Sequence, residues 1–295
     1  MKRYLFIVNP NAGRGKGQKI IPILKDYLHR HSIPHEVWET SARLEAVVLT
    51  QDGIKAGFDV LVAVGGDGTI HEVANGIIRS NESRPLGAIR VGSGNDFLRY
   101  FKFPTDLEQA MAILLQGREI TIDAGKVGNH YFVNAIGVGF DAEVGYEMLK
   151  IQWLAGTAVY VYAAFKRLLK FRTPYVKVVA DDFTFEGPIT LVTVGNGTSS
   201  GGGFMLTPQA KMDDGWFDVC LVKAVPRWKV MTILLRVLTG GHIHHPDVIM
   251  TRAKKVVIDS AQDELLAHLE GEFADLDPHH IEVNLIRSCL RVIVP

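Results

Sequence analysis

Two aspartates set among glycines are the residues in this sequence best placed to do chemistry. Asp67 stands in Gly65-Gly66-Asp67-Gly68-Thr69, and Asp96 ends the run Val91-Gly92-Ser93-Gly94-Asn95-Asp96. Glycine lets another group come close to the main chain, and the exposed N–H groups of a helix start attract phosphate. A carboxylate in such a loop repels a polyphosphate unless a cation or a hydroxyl lies between them. Asp67 therefore reads as a magnesium or ribose contact, direct or through water. The competing reading is an acid that caps a helix in a tight turn. Thr69 can cap the same helix or bond a phosphate oxygen. In chain order the Asp67 and Asp96 loops are the second and third such loops; the first, Asn9 to Gly17 ("NPNAGRGKG"), brings Arg14 and Lys16 to another helix start. It is neither of the standard phosphate motifs, because no Ser or Thr follows Lys16 and Gln18 stands where a dinucleotide fingerprint has its third glycine. Three loops of this kind at successive strand ends make a cradle for a nucleoside triphosphate, with Asp67 and Asp96 as its acids.

The elements that must hold these loops are legible in the hydrophobic pattern. Strand patterns at Tyr4–Val8, His35–Glu39, Val60–Val64 and Leu86–Val91 alternate with helical patterns at 19–31, 43–56, 69–79 and 107–116. Short apolar strands separated by helices predict a parallel sheet covered on both faces, and ligands bind such sheets at the carboxyl ends of the strands. After Asp123 the texture changes to strands joined by turns, with Asp181-Asp182 as a hairpin tip and helices at 156–170 and 228–238. The expected organisation is an α/β nucleotide-binding domain over 1–123 and a β-rich substrate domain over 124–287. A last strand, about 288–295, returns to the first domain.

Composition narrows the class. The chain has 295 residues, 47% hydrophobic and 22% charged, with 32 basic and 32 acidic side chains. That is enough for two cored domains, and the neutral balance gives no sign of a general nucleic-acid binder. Cys220 and Cys289 lie in apolar runs and read as buried free thiols of a reducing cytoplasm. The apolar run at Tyr4–Val8 is too short for a signal peptide, and no stretch reaches the length of a membrane span. A soluble protein is expected.

"GGDGT" with "HEVANGI", "GSGNDFLR" (92–99) and "KMDDGWFDVCLV" (211–222) together resemble the diacylglycerol kinase catalytic-domain family. The likeness is closest to the soluble bacterial lipid kinases of the diacylglycerol and sphingosine kinase superfamily, which is related to NAD kinases. It covers essentially the whole chain and implies the same two-domain fold, an α/β domain followed by a mainly antiparallel β-sandwich-like domain. It implies that Asn9, Pro10, Asn11, Ala12, Gly13, Arg14, Thr40, Gly65, Gly66, Asp67, Gly68, Thr69, Ile70, His71 and Ser93 line ATP. Asp67 and Asp96 would join a magnesium–water network at the phosphates. The carbonyls of Lys211 and Trp216, with the Asp214 carboxylate, would hold a structural magnesium. The proton acceptor would come from Glu270-Gly271-Glu272. Relatives commonly have Asp-Gly-Glu there, so both Glu270 and Glu272 are candidates.

The implied reaction is transfer of the ATP γ-phosphate to a lipid hydroxyl, with diacylglycerol the leading acceptor. Other lipids, NAD, and a non-catalytic nucleotide- or lipid-binding role are the alternatives. A lipid acceptor implies a cytoplasmic protein in peripheral contact with the inner face of a membrane; homodimerisation is left open. Trp153–Phe171 reads first as a helix packed under the β sheet, and second as a basic-ended membrane-facing helix. His242, His244 and His245 lack zinc-ligand spacing and read as a polar turn.

Overall fold

The computed structural model describes residues 1–92, 94–148, 150–151, 157–272 and 275–295. The chain forms two compact units, Met1–Ile122 with Ser288–Pro295, and Asp123–Arg287.

The first unit alternates strands and helices in the order β1 (Tyr4–Val8), α1 (Ala12–Arg30), β2 (His35–Glu39), α2 (Glu45–Lys55), β3 (Val60–Gly65), α3 (Asp67–Ser80), β4 (Leu86–Arg90), α4 (Asp96–Tyr100) and α5 (Leu107–Gln116). The strands lie β4-β3-β1-β2, all parallel, and the returning C-terminal residues add a parallel neighbour with Val292 opposite Leu86. β1 and β3 are buried along their whole length, which fits their unbroken apolar sequences. Tyr4, Phe6 and Val8 join Val60, Val62 and Val64 against Ile21, Leu24 and Leu28 of α1 and Met111 and Leu114 of α5. Side chains alternate along a strand, so Leu5 points the other way, where α2 packs so close that a Cβ on Gly53 would lie 2.2 Å from Leu5 Cδ2. Helices therefore cover both faces. α2 has no cap of its own at Leu44; the buried Glu72 of α3 accepts the N–H groups of Leu44 and Ala46 at 3.0 and 3.1 Å.

Two helix starts differ from the sequence expectation. α3 begins at Asp67 with Gly66 at the cap position, so Asp67 is the first helical residue and not the capping acid. The segment Ala12–Arg30 contains a left-handed break at Gly13, Arg14 and Gly15, with φ of 60°, 60° and 84°. Regular helix follows that break, so the pattern that predicts a start at Lys19 registers only the apolar face beyond the turn.

The second unit contains β5 (Arg118–Val127, its first residues in the first unit), β6 (His130–Phe132), β7 (Ala135–Gly139), α6 (Phe140–Met148), α7 (Thr157–Leu168), β8 (Tyr175–Ala180), β9 (Phe183–Gly195), β10 (Phe217–Lys223), α8 (Arg227–Val237), a short 3₁₀ turn at Gly241–His244, β11 (Val248–Ala253), β12 (Lys255–Asp259), β13 (Ala267–Leu269) and β14 (His280–Val294, the first unit from Ser288). The long strand β9 belongs to two sheets. Phe183–Pro188 pairs with β8, which continues to β12 and β14, while Ile189–Gly195 pairs with β10 and β7, which continue to β11 and β13. The expected hairpin tip is present, with Asp181-Asp182 between the paired Ala180 and Phe183. Val176, Val178, Val256, Ile258, Ile281 and Val283 of one sheet meet Ile136, Val138, Val192, Val194, Val219 and Leu221 of the other, which makes a β-sandwich-like core. The outer face of the β9–β10–β11 sheet, through Leu191, Cys220, Val222 and Val248, is covered by α6, α7 and α8. Residues 153–156 of the apolar segment 153–171 lie outside the described residues. Neither cysteine forms a disulfide; Cys220 is fully buried, and burial pushes its thiol up to about 12, while Cys289 is half-buried.

Candidate active site

The three glycine loops of the first unit meet at the carboxyl ends of β1, β3 and β4, and much of their glycine content serves chain-to-chain contact. A Cβ on Gly92 would lie 2.5 Å from Gly66 Cα, and one on Gly13 would lie 2.3 Å from the Val91 carbonyl oxygen. Both distances are below any real contact, so loops one, two and three touch main chain to main chain. The N–H groups of Val91 and Gly92 donate to Gly65 O at 2.9 and 3.1 Å. Thr69 is buried and turned back against Gly65, and His71 is buried in α3. At the first loop, Asn9 Oδ1 accepts the N–H of Asn11 at 3.0 Å, and Gln18 N–H reaches back to Pro10 O at 2.9 Å. Thr40, buried at the end of β2, donates its N–H to Val8 O at 2.9 Å beside that loop. Ser93 lies outside the described residues.

Asp67 is the tie between the second and third loops. Its Oδ2 accepts the N–H of Asn95 at 2.5 Å and its Oδ1 that of Phe97 at 3.3 Å. Burial, and then the neighbouring charge of the buried Asp96, push its carboxyl up to about 6, against the pull of those N–H groups. Asn95, fully buried in a left-handed conformation, leaves its Oδ1 without a hydrogen-bond donor among the described residues. Two crowded carboxylates and an unmet carbonyl oxygen are hard oxygen donors. That set fits a magnesium ion held through one or two carboxylates together with substrate phosphates. Among the described residues no three His, Cys, Asp or Glu side chains group as a self-sufficient metal site.

In the second unit the acidic segment forms a tight two-residue turn. Leu269 and Glu272 exchange main-chain hydrogen bonds at 2.7 Å each way, with Glu270 and Gly271 between them at φ of 54° and 80°. Both signs suit the turn that favours Asn-Gly or Asp-Gly, and glutamate is an unusual first residue for it. The side chain compensates. Glu270 Oε1 accepts the N–H groups of Val133 and Asn134 at 2.6 Å each, and Oε2 accepts Asn134 Nδ2 at 2.9 Å. A second anchor lies beneath. His268 Nδ1 accepts the Gly271 N–H at 3.1 Å, so Nε2 carries the proton and donates to Asp141 Oδ2 at 2.9 Å. Both side chains are buried, in space kept open by Gly137, whose Cβ would lie 2.4 Å from Asp141 Oδ2.

Asp214 is already engaged. Its Oδ1 accepts the Trp216 N–H at 3.1 Å and its Oδ2 pairs with the guanidinium of Arg252. The turn is fastened by Asp123, whose Oδ2 accepts the Gly215 N–H at 2.8 Å. As they stand, Lys211, Asp214 and Trp216 do not fit a magnesium ion, because the one carboxylate of the set faces a cation from the chain itself.

Comparison with known proteins decides the family. Residues 3–127 match the diacylglycerol kinase catalytic domain, and residues 134–294 match the YegS C-terminal NAD kinase beta sandwich-like domain. The chain belongs to the diacylglycerol kinase family. It is 30% identical over 290 residues to a diacylglycerol kinase of Staphylococcus epidermidis, covering 96% of this chain and 92% of that protein. It is 29% identical to one of Staphylococcus carnosus, covering 96% and 94%. Of solved structures, a diacylglycerol kinase from Bacillus anthracis superposes with a TM-score of 0.76 at 23% identity, covering 100% of this chain and 97% of that one. Yeast NADH kinase in complex with NADH follows at 0.53 and 10% identity, covering 100% and 84%. These two likenesses speak for the fold alone.

A member of this family is a kinase, and a kinase takes ATP as its phosphoryl donor. Within the family frame the sequence reading finds the loop residues and the acidic turn, and it misses what holds them. Asn134, Asp141, His268 and Arg252 are single polar residues in apolar or charged contexts, and Asn95 is legible only as a member of its loop. The faint signal for Asn134, Asp141 and His268 is a polar or titratable residue beside strands otherwise apolar, as in "FVNAIGVGFDAEV" and "LLAHLEG".

Proposed function

We propose that this protein is an ATP- and magnesium-dependent lipid kinase whose acceptor is diacylglycerol and whose product is phosphatidic acid. The observation that carries this reading is Asp67, a carboxylate pushed up by burial and by Asp96 where three glycine loops close on one another. A cation beside such a group offsets the cost of its buried charge, and magnesium-ATP brings one. Magnesium there would neutralise the phosphate charge, with Asp67 and Asp96 as its protein anchors. Gly65–Thr69 and Asn9–Arg14 supply the N–H groups and the cation that orient the phosphates. The acceptor hydroxyl oxygen forms the new bond to the γ-phosphorus as the bond to the β–γ bridging oxygen breaks, and ADP leaves with that electron pair. The hydroxyl proton goes to a carboxylate of the second unit. We assign it to Glu272, because three hydrogen bonds commit Glu270 to positioning the turn. The diacylglycerol assignment is supported by the names of relatives at 29–30% identity over most of the chain. A structural magnesium at Lys211, Asp214 and Trp216 remains part of the reading only where Arg252 gives up the Asp214 carboxylate. No described helix is long and apolar enough to cross a membrane. The proposed site of action is the cytoplasmic face of a membrane, reached peripherally.

The test is transfer of labelled γ-phosphate into organic-extractable product. The protein is incubated with magnesium-ATP and diacylglycerol, a sphingoid base or phosphatidylglycerol in mixed micelles, with NAD assayed in parallel and Asp67→Ala as control. Label in phosphatidic acid alone, absent from the control, is the expected result. Label in NAD and in no lipid would overturn the acceptor assignment.

A further inference from the structure

The anchor beneath the acidic turn is more deeply buried than the turn itself. His268 and Asp141 are 3% and 5% exposed, while Glu270, Gly271 and Glu272 are half-buried. His268 is the middle residue of β13. Its neighbours Ala267 and Leu269 join the sandwich core, so its ring lies on the opposite face of the sheet, across from Gly137 of β7. β7 runs directly into α6, and Asp141 is the second residue of that helix, where the helix dipole favours a carboxylate. One strand-to-helix passage thus supplies both supports of the turn. Val133 and Asn134 before β7 hold Glu270, and Asp141 after it holds His268.

The chemistry of the two groups sets the direction of their hydrogen bonds. A carboxylate only accepts, so Asp141 Oδ2 takes the ring proton at Nε2 at 2.9 Å. The ring is left with a bare Nδ1, and that nitrogen accepts the Gly271 N–H at 3.1 Å. The opposite tautomer would set one N–H against another. Glu270 and Gly271 both have positive φ, 54° and 80°, and a left-handed glutamate persists only where its surroundings over-determine it. The Glu270 carboxylate secures the first residue of the turn. The His268 ring secures the second, which is the residue that delivers Glu272. An apolar pair would fill this space without the cost of burying two polar groups, and could not fix Gly271.

We propose that His268, its tautomer set by Asp141, is a positioning residue that holds the acidic turn in the conformation presenting Glu272 to the acceptor hydroxyl. It acts through the Gly271 N–H and not on the substrate. This role rests on the reading of Glu272 as proton acceptor, and the experiment separates the two.

Two substitutions divide the bonds of the ring. In His268→Asn, Oδ1 can take the place of Nδ1 towards Gly271, and the bond to Asp141 is lost. In His268→Gln, the longer amide can donate to Asp141, and the acceptor for Gly271 is lost. Both are compared with wild type, Asp141→Asn and Glu272→Gln by steady-state kinetics on magnesium-ATP and diacylglycerol micelles, melting temperature, and amide hydrogen exchange of glycine-labelled protein. His268→Gln is expected to lose about ten-fold or more in kcat, with both KM values within about two-fold of wild type. Its Gly271 amide should exchange about ten-fold faster or more. His268→Asn should melt lower, yet keep a protected Gly271 and a kcat well above that of the Gln variant. Asp141→Asn can meet either tautomer and should lower kcat with little change in KM. A kcat that follows melting temperature across the variants, with Gly271 equally protected in all, would make the pair a support of the fold alone and overturn the proposal. So would fast exchange at Gly271 in the wild type. Undiminished turnover in Glu272→Gln overturns the proton-acceptor reading instead, and the contrast between the Gln and Asn variants still decides whether the ring holds the turn. If no form phosphorylates diacylglycerol, that acceptor assignment falls and exchange at Gly271 decides for His268.

Discussion

Asp67 and Glu270 both accept main-chain N–H groups, but from different distances along the chain. The donors to Asp67 lie 28 and 30 residues away, one βαβ step along the same sheet. Those to Glu270 lie 136 and 137 residues away. In the parallel sheet, each strand delivers its loop to the same edge, so local motifs meet without long-range pairing. In the sandwich, the acidic turn acquires partners only when β13 pairs with β7. The contrast teaches two uses of a hydrogen-bonded carboxylate. Around Asp67, hydrogen bonds hold a charge that burial resists, which suits the proposed magnesium ion. Around Glu270, they anchor a turn, which is why Glu272 is the proposed proton acceptor.

The largest expected effect breaks the first half of that comparison. Asp67→Asn should cut phosphoryl transfer by about 10²-fold or more. It should also stabilise the metal-free protein at pH 8. Burial pushes the folded carboxyl up to about 6 from the ordinary 3.8, so its contribution is most favourable below 3.8 and is lost as pH rises through 6. Removing that loss gains about 1–3 kcal/mol at pH 8. Melting temperatures in chelator at pH 5 and pH 8 measure this. An Asn variant less stable than wild type at pH 8 would show that the N–H groups of Asn95 and Phe97 already suffice for the ionised group.

The second half is sharpened by exchanging the two glutamates. Glu272→Gln is expected to lower kcat by about 10²–10⁴-fold with little change in stability. Glu270→Gln should cost about 1.5–3 kcal/mol by removing a charged acceptor from three donors, with kcat falling less. Urea unfolding and steady-state kinetics on both variants separate the roles. The reverse pattern would make Glu270 the proton acceptor.

Gly92→Ala forces a Cβ into Gly66 and should cost about 1–3 kcal/mol while raising the KM for ATP. An unchanged KM would mean that the contact between the loops does not shape the nucleotide site. The smallest effect is at Asp214. Arg252→Ala removes a half-exposed guanidinium from Asp214 and from the buried Asp218, 3.6 Å from its Nε, so stability without metal should fall by about 1–2 kcal/mol. If the turn holds magnesium once Arg252 is gone, the melting temperature of the variant should rise with added magnesium more than that of wild type. Equal responses would assign the cation's place at this turn to Arg252.

The sequence by itself determined the parallel α/β layout, the three loops at its strand ends, the hairpin at Asp181-Asp182 and the location of the acidic turn. Each of these rests on interactions within a few residues: apolar periodicity, glycine punctuation and turn chemistry. It could attribute the glycines of the second loop to a ligand, but not to the third loop, because Gly66 and Gly92 meet only when β3 and β4 pair. It placed Glu270 and Glu272 as equals, since two acids two positions apart look alike until Val133 and Asn134 arrive from another strand. Asp214 likewise read as a ligand until Arg252 was brought beside it across the β10–β11 pair. Tertiary structure decided these because the free energy of a carboxylate depends on the burial and on the donors around it, and those are supplied by distant parts of the chain.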